Sequence, residues 1–118
     1  MFGVHLMMKI YSVKLLFESV VTPMPIPPSK TFEESIILLR VEDEELIEKM
    51  VIEHLGNLSY ENAVGGQTTW KFVGILDVFE LIDEFEGDIN FKEVYSRFLP
   101  FDKMITADEV IKLYSLDR

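Results

Sequence analysis

The chain contains no cysteine among its 118 residues. Disulfide bonds, thiol nucleophiles, cysteine-ligated zinc and iron–sulfur clusters are therefore excluded for this chain. Because disulfides persist mainly in oxidising compartments, a chain without cysteine fits the cytoplasm, where we expect the protein to lie. Neither His5 nor His54 belongs to a ligand motif such as H-x-x-x-H, so the sequence predicts no metal site and no cofactor.

Basic residues and catalytic motifs are also scarce. Eleven Lys and Arg stand against 21 Asp and Glu, which gives a formal net charge of −10. This charge argues against nucleic acid as a ligand, since phosphate binding needs clustered cations, and it favours a basic protein partner; alternatively it only keeps the protein soluble. Gly65-Gly66 lacks the Lys and Ser/Thr of a phosphate-binding loop, and no serine lies in a G-x-S-x-G context. We therefore predict no catalytic residue.

Long hydrophobic runs are missing, although 48% of the residues are hydrophobic. Lys9, Lys14 and Glu18 interrupt the apolar start well before the length of a membrane span, so we expect no membrane association. A chain of this length predicts one domain, 1–118, with a core at 9–99. So much apolar content in a small domain predicts exposed apolar surface, and we expect a homo-oligomer, specifically a dimer.

Alternating and continuous apolar patterns predict strands over 9–21, 32–41, 68–81 and 92–99. Four prolines between residues 22 and 30 break the chain after the first strand, and Pro100 is expected to end the last. The stretch 70–81 is so apolar that we place it at the centre of the sheet. The period of two puts Phe72, Leu76 and Val78 on one face, and Val73 and Ile75 on the other.

Two helices complete the pattern. Acidic residues crowd the first turn of a helix predicted over 42–55, with Ile47 and Val51 on its apolar stripe. Thr106 and Glu109 form a capping-box signature that predicts a short helix over 106–116. The fold class is therefore α+β in the order ββαββα: an antiparallel sheet of about four strands, with the main helix packed on one face.

Carboxylates are the only abundant reactive groups. Glu18 ends the first strand and Glu33 and Glu34 begin the second, so an antiparallel pair brings these strand ends together. One interpretation is a carboxylate-dependent enzyme or a divalent-ion site. The other is a set of ion pairs with Lys14, Lys71 and Arg97 on a solvated sheet face. Glu33 and Glu34 are adjacent on a strand and point to opposite faces, so at most one carboxylate pair forms.

Two further segments are candidates for an interaction surface. Tyr60, Glu61 and Asn62 follow a helix stop and precede the Gly-Gly turn, where Asn62 either holds the loop through backbone hydrogen bonds or contributes to recognition. Tyr95 and Arg97 combine the aromatic and guanidinium groups that often anchor interfaces.

Five ordered blocks resemble the bacterial domain-of-unknown-function family 4288. They are YSVKLLFES (11–19), FEESIILL (32–39), YEN (60–62), WKFVGILDVFEL (70–81) and EVYSRF (93–98). The resemblance covers roughly residues 9–99 and brings no known activity, cofactor or catalytic residue. It implies a small, stand-alone bacterial protein of the cytoplasm, in which residues 1–8 and 100–118 are additions to the core pattern.

Two classes of function follow from the sequence. The first is a non-enzymatic protein-interaction module, one form of which is an acidic inhibitor or immunity-type protein. Its predicted surface consists of Glu18, Glu33, Glu34, Tyr60, Glu61, Asn62, Tyr95 and Arg97. The alternative is the carboxylate-dependent enzyme or divalent-ion-binding protein that uses Glu18, Glu33 or Glu34.

Overall fold

The computed structural model describes residues 8–55, 58–81 and 87–115. Within these ranges the strands are β1 (Lys9–Thr22), β2 (Lys30–Val41), β3 (Leu58–Glu61), β4 (Gln67–Leu81) and β5 (Lys92–Phe101). The helices are α1 (Ile47–His54), which follows a 3-10 turn at Glu44–Leu46, and α2 (Ala107–Tyr114). His5 lies outside the described residues.

The strands form one antiparallel sheet in the order β3-β4-β1-β2-β5. The α+β class and the antiparallel sheet are confirmed, but the order is ββαβββα, and five strands replace the expected four. The additional strand is β3, which pairs with residues 67–70 of β4. It was missed because four mostly polar residues are too short to show a period of two, and the pairing with β4 makes them a strand.

β1 is the central strand of the sheet and pairs with both β2 and β4. The expectation that 70–81 lies at the centre is wrong, because β4 is next to the edge and β3 covers only its residues 67–70. β1 carries two adjacent side chains, Leu15 and Leu16, that are both fully buried. Since neighbouring side chains of a strand point to opposite faces, both faces of the sheet are covered at this point.

Each face has its own hydrophobic cluster. The cluster under α1 has the buried members Tyr11, Val13, Leu15, Ile37, Leu39, Val41, Ile47 and Val51. The cluster under α2 has the buried members Leu16, Phe32, Leu76, Leu99, Ile105 and Val110. We call these two sides of the sheet the α1 face and the α2 face. The C-terminal segment is therefore part of the fold, since it supplies Ile105 and Val110.

The pairing of β1 with β4 is interrupted by two register shifts, one between Lys14 and Leu15 and one between Leu16 and Phe17. Phe72 and Val78 pack against the α1-face cluster, on the shared side that the period of two predicts. Leu76 instead belongs to the α2-face cluster, and Ile75 packs with the α1-face cluster. The predicted sides of Leu76 and Ile75 are thus wrong, because a bulge adds a residue to one strand and reverses the alternation beyond it.

The first predicted helix is shorter than expected, because residues 44–46 form a 3-10 turn instead of α-helix. The Asp43 side chain caps this turn by accepting a hydrogen bond from the Glu45 backbone N–H at 3.0 Å. His54 in the last turn of α1 is exposed and stacks on Phe91, with ring centroids 3.6 Å apart. Among the described residues, no helix is long and apolar enough to cross a membrane.

The capping box of α2 is confirmed. Thr106 Oγ1 accepts from the Glu109 N–H at 3.2 Å, and the Glu109 carboxylate accepts from the Thr106 N–H at 3.1 Å. The bonds from Thr106 lower the pKa of Glu109, since they stabilise its charged form. By contrast, Pro100 does not end its strand, because β5 is an edge strand and continues to Phe101. A proline at an edge leaves no ladder hydrogen bond unmade when its nitrogen faces away from the neighbour.

Candidate functional site

Glu34 lies on the α2 face, where its side chain is 2% exposed. Its Oε1 accepts a hydrogen bond from Arg97 Nε at 2.8 Å, and its Oε2 lies 3.6 Å from Lys14 Nζ. The hydrogen bond to the carboxylate raises the pKa of Arg97. Glu34 thus forms ion pairs with two of the cations that the second interpretation named, but it does so at a buried position and not on a solvated sheet face.

Arg97 also connects β5 with α2. Its guanidinium lies over the Tyr114 ring at 5.4 Å from the centroid, while it donates to Glu34. Tyr95, two residues earlier on β5, is 42% exposed. Arg97 is thus engaged in holding the terminal helix against the sheet, and Tyr95 remains an exposed ring.

Glu18 lies at the end of the β1–β2 pair that is next to the loop joining the two strands. Its carboxylate lies 3.2 Å from Lys30 Nζ, which also donates to the Ser19 carbonyl oxygen. Ser19 Oγ donates to the Thr31 carbonyl oxygen at 2.7 Å. Lys71 is opposite Glu18 in the β1–β4 register, but the ion pair is made with Lys30. In the parts of the chain that the structure describes, no three His, Cys, Asp or Glu side chains gather in a way that could hold a metal ion.

Glu33 differs from both of its acidic neighbours. It is partly buried among aromatic rings, and burial raises the pKa of its carboxyl above the ordinary value. The charge of Glu93 raises this pKa further. Within residues 8–55, 58–81 and 87–115, the ion pairs involve Glu18, Glu34 and Glu80 but not Glu33. Glu33 is therefore a partly desolvated carboxylate without a cationic partner in this part of the chain.

Glu33 lies in a groove on the α1 face of the sheet, in the part of that face that α1 does not cover. The groove has a volume of about 310 Å³, and it is lined by Phe17, Glu33, Leu58, Tyr60, Trp70 and Phe98. We call these six residues the aromatic groove. Each of the strands β1 to β5 contributes at least one of them. Leu58 and Phe98 are each 62% exposed and Tyr60 is 48% exposed, while Phe17 and Trp70 are half-buried, so part of the groove is open to a ligand.

The rings of the aromatic groove have fixed orientations. Trp70 Nε1 donates a hydrogen bond to Tyr60 Oη at 3.2 Å, which ties the indole to β3. The Trp70 and Phe98 centroids lie 5.7 Å apart, although their strands β4 and β5 are separated by β1 and β2. Phe17 packs edge-on against Phe72 at 5.8 Å. Such contacts limit side-chain motion, so a ligand entering the groove meets rings that are already in place.

Asn62 holds the turn between β3 and β4. Its Oδ1 accepts from the Gly66 N–H at 3.0 Å, and its Nδ2 donates to the Thr22 carbonyl oxygen at 3.0 Å. Gly66 approaches the same carbonyl so closely that an added Cβ would lie 1.6 Å from the oxygen. These bonds agree with the interpretation in which Asn62 holds the loop through hydrogen bonds to the backbone. Glu61, which precedes it, is exposed and pairs with Gln67 in the hairpin.

The surface predicted from the sequence is thus divided. The structure brings Glu33 and Tyr60 together in the aromatic groove, while Glu18 and Glu34 are paired with lysine and arginine elsewhere. Sequence reasoning missed the other groove residues, which are Phe17, Leu58, Trp70 and Phe98. A signal existed for two of them: Phe17 precedes Glu18 and Phe98 follows Arg97, so strand alternation puts these rings on the opposite face from those charges.

Comparison with known proteins gives a family but no described activity. A family model described as a domain of unknown function (DUF4288) matches residues 10–96. Comparisons with curated proteins and with solved structures found no significant match. The matched range includes Phe17, Glu33, Tyr60 and Trp70 of the aromatic groove and ends before Phe98 and α2. Because the model matches most of the sequence, the chain belongs to the DUF4288 family of domains of unknown function.

Proposed function

We propose that this chain is a non-enzymatic protein-interaction module that binds its partner at the aromatic groove. The observation that carries the proposal is a cluster of apolar side chains, of which Leu58, Tyr60 and Phe98 are exposed, around a partly buried carboxylate on the open part of the α1 face. Clustered exposed apolar side chains mark interaction sites on soluble proteins, and Trp and Tyr are common anchors of interfaces. The contacts among Trp70, Tyr60 and Phe98 support the proposal because preformed anchors lose little freedom on binding.

A basic protein is the partner that the charge favours. With a formal net charge of −10, the chain creates a field that attracts cations and speeds their encounter with the groove. An acidic inhibitor or immunity-type protein that covers a basic surface is one form of this function. We place this activity in the bacterial cytoplasm, where a chain without cysteine loses no stabilising disulfide.

We also propose a homodimer that uses the free edge of β4. β3 pairs with residues 67–70 only, so residues 71–81 have no second strand neighbour in the described part of the chain. A groove of about 550 Å³ lies along this edge and is lined in part by residues 75–79. Two copies of β4 paired antiparallel about a twofold axis would give residues 71–81 of each copy a second strand neighbour and continue the sheet across the dimer. Sedimentation at micromolar concentration tests this pairing, and a clean monomer near 13.7 kDa would contradict it.

Site-directed photo-crosslinking tests the interaction module. A photo-crosslinking phenylalanine analogue replaces Phe98 in one variant and Leu113 in the control, and both are expressed in the host cell. Leu113 is a matched control because it is 64% exposed but lies on α2, away from the aromatic groove. We expect position 98, and not position 113, to give a product with a different protein, identified by mass spectrometry as basic. Equal products at both positions, or no product with another protein at position 98, would contradict the proposal.

A further inference from the structure

The carboxylates near the strand ends differ in one respect that bears on ligand chemistry. Glu18 is paired with Lys30, and Glu34 is paired with Arg97 and Lys14. Glu33 has no ion pair in residues 8–55, 58–81 and 87–115, although it is the one of the three that contributes to the aromatic groove. A nearby cation stabilises the charge of a partly desolvated carboxylate. At Glu33 the chain instead places a second acidic residue, Glu93, whose charge raises the pKa of Glu33.

The rings around Glu33 provide the second half of a cation site. The faces of Trp, Tyr and Phe attract cations through their quadrupoles, and Trp is the strongest of the three. Trp70, Tyr60 and Phe98 are held together by a hydrogen bond and a ring contact, and Phe17 is fixed against Phe72. A cation in the groove therefore meets π faces and a carboxylate at the same time. The volume of about 310 Å³ admits a single large side chain.

We propose that the aromatic groove receives an arginine side chain of the protein partner, with the guanidinium stacked on the rings and paired with Glu33. Arginine fits better than lysine because its planar group stacks on aromatic faces, pairs with a carboxylate through two N–H groups and is more weakly hydrated than an ammonium. The net charge of −10 favours its approach. This inference rests on the proposed function and names the group that the groove recognises.

Fluorescence of the full chain provides a direct measurement. The chain has one tryptophan, Trp70, so its intrinsic tryptophan emission reports on the groove alone. The probe is a short Gly/Ser peptide with one central arginine, compared with otherwise identical peptides that contain citrulline or lysine. Citrulline preserves the shape of arginine and removes the charge. We expect a saturable change with the arginine peptide, binding about tenfold weaker for citrulline, and an intermediate affinity for lysine.

Two matched variants locate the site. Glu33→Gln removes the groove carboxylate, while Glu45→Gln removes the same charge from the exposed 3-10 turn outside the groove. We expect Glu33→Gln to weaken the arginine peptide about tenfold and Glu45→Gln to leave its affinity within about twofold. Circular dichroism of both variants confirms that they are folded before the titration.

The results of these experiments distinguish a failure of the arginine site from a failure of the proposed interaction module. Equal binding of arginine and citrulline peptides, or equal effects of the Glu33→Gln and Glu45→Gln variants, would overturn the arginine site. Tighter binding of the lysine peptide would also overturn it, since it would assign the groove to an ammonium group. The interaction module itself would survive any of these results if position 98, and not position 113, still forms a crosslink to a basic protein. It would fall with the loss of that crosslink or with an equal product at position 113.

Discussion

Val110 offers a test of whether the C-terminal helix belongs to the folded core. Its side chain is fully buried in the α2-face cluster, although the family match ends at residue 96. Val110→Ala removes two buried methyl groups, which lowers the free energy of unfolding by about 1.6 kcal/mol at about 0.8 kcal/mol each. A residual cavity of roughly 40 Å³ adds about 1 kcal/mol. We therefore expect a loss of about 2 to 3 kcal/mol.

Urea denaturation measures this loss, with thermal unfolding as a second readout. At about 4 °C per kcal/mol for a chain of this size, the midpoint falls by about 8 to 12 °C. Leu113→Ala is the matched control, because Leu113 is on the same helix but 64% exposed, and it is expected to change stability by less than about 0.5 kcal/mol. If Val110→Ala also stays within 0.5 kcal/mol, or Leu113→Ala costs as much, α2 does not cover the sheet.

Phe72→Ala is expected to cost about 3 kcal/mol in a urea titration, because Phe72 packs against the α1-face cluster and Phe17; near-normal unfolding would mean that this face is open. Gly66→Ala is expected to destabilise the β3–β4 hairpin strongly, since the new Cβ meets the Thr22 carbonyl oxygen; unchanged thermal unfolding would refute that contact. Glu33→Gln is expected to raise the melting midpoint at pH 7, with Glu93 and Tyr60 left in place. The pKa of Glu33 is higher in the folded than in the unfolded state, so the charged side chain destabilises the fold as pH rises above the unfolded-state pKa. The increase in melting midpoint caused by Gln should therefore vanish below about pH 4, where the carboxyl is protonated in both states. A lower melting midpoint for the variant at pH 7 would contradict this reasoning.

Sequence periodicity was sufficient for the long elements of this fold. The alternation in β1, the apolar run in β2 and the capping box at Thr106 and Glu109 each produced an element close to the observed bounds. These signals are local, because side-chain alternation and caps depend on residues a few positions apart. The ion-pair interpretation named Lys14 and Arg97 as cations, but it did not place their partner Glu34 in the buried part of the sheet.

The register of distant strands was beyond such reasoning. The register shifts on the two sides of Leu15 and Leu16 move Leu76 and Ile75 to faces of the sheet that a strict period of two does not give. The aromatic groove needs Trp70 of β4 and Phe98 of β5 to meet across two intervening strands. Nothing local in the chain encodes that meeting, since it depends on the order of the strands and on the curvature of the sheet. Only Glu33 and Tyr60 of the groove were therefore among the predicted candidates.

The position of β1 between two covered faces has a consequence for how the molecule opens. β1 has a neighbouring strand on each side, and the side chains of its residues Leu15 and Leu16 are buried on the two faces of the sheet. Releasing its backbone N–H groups to solvent requires the separation of both neighbouring strands, which approaches global unfolding. The amide protons around Leu15 and Leu16 should therefore exchange with deuterated water at the slowest rates in the chain, while those of β3 and β5 exchange through local openings. Exchange rates along the sheet would then rise outward from a single slow strand.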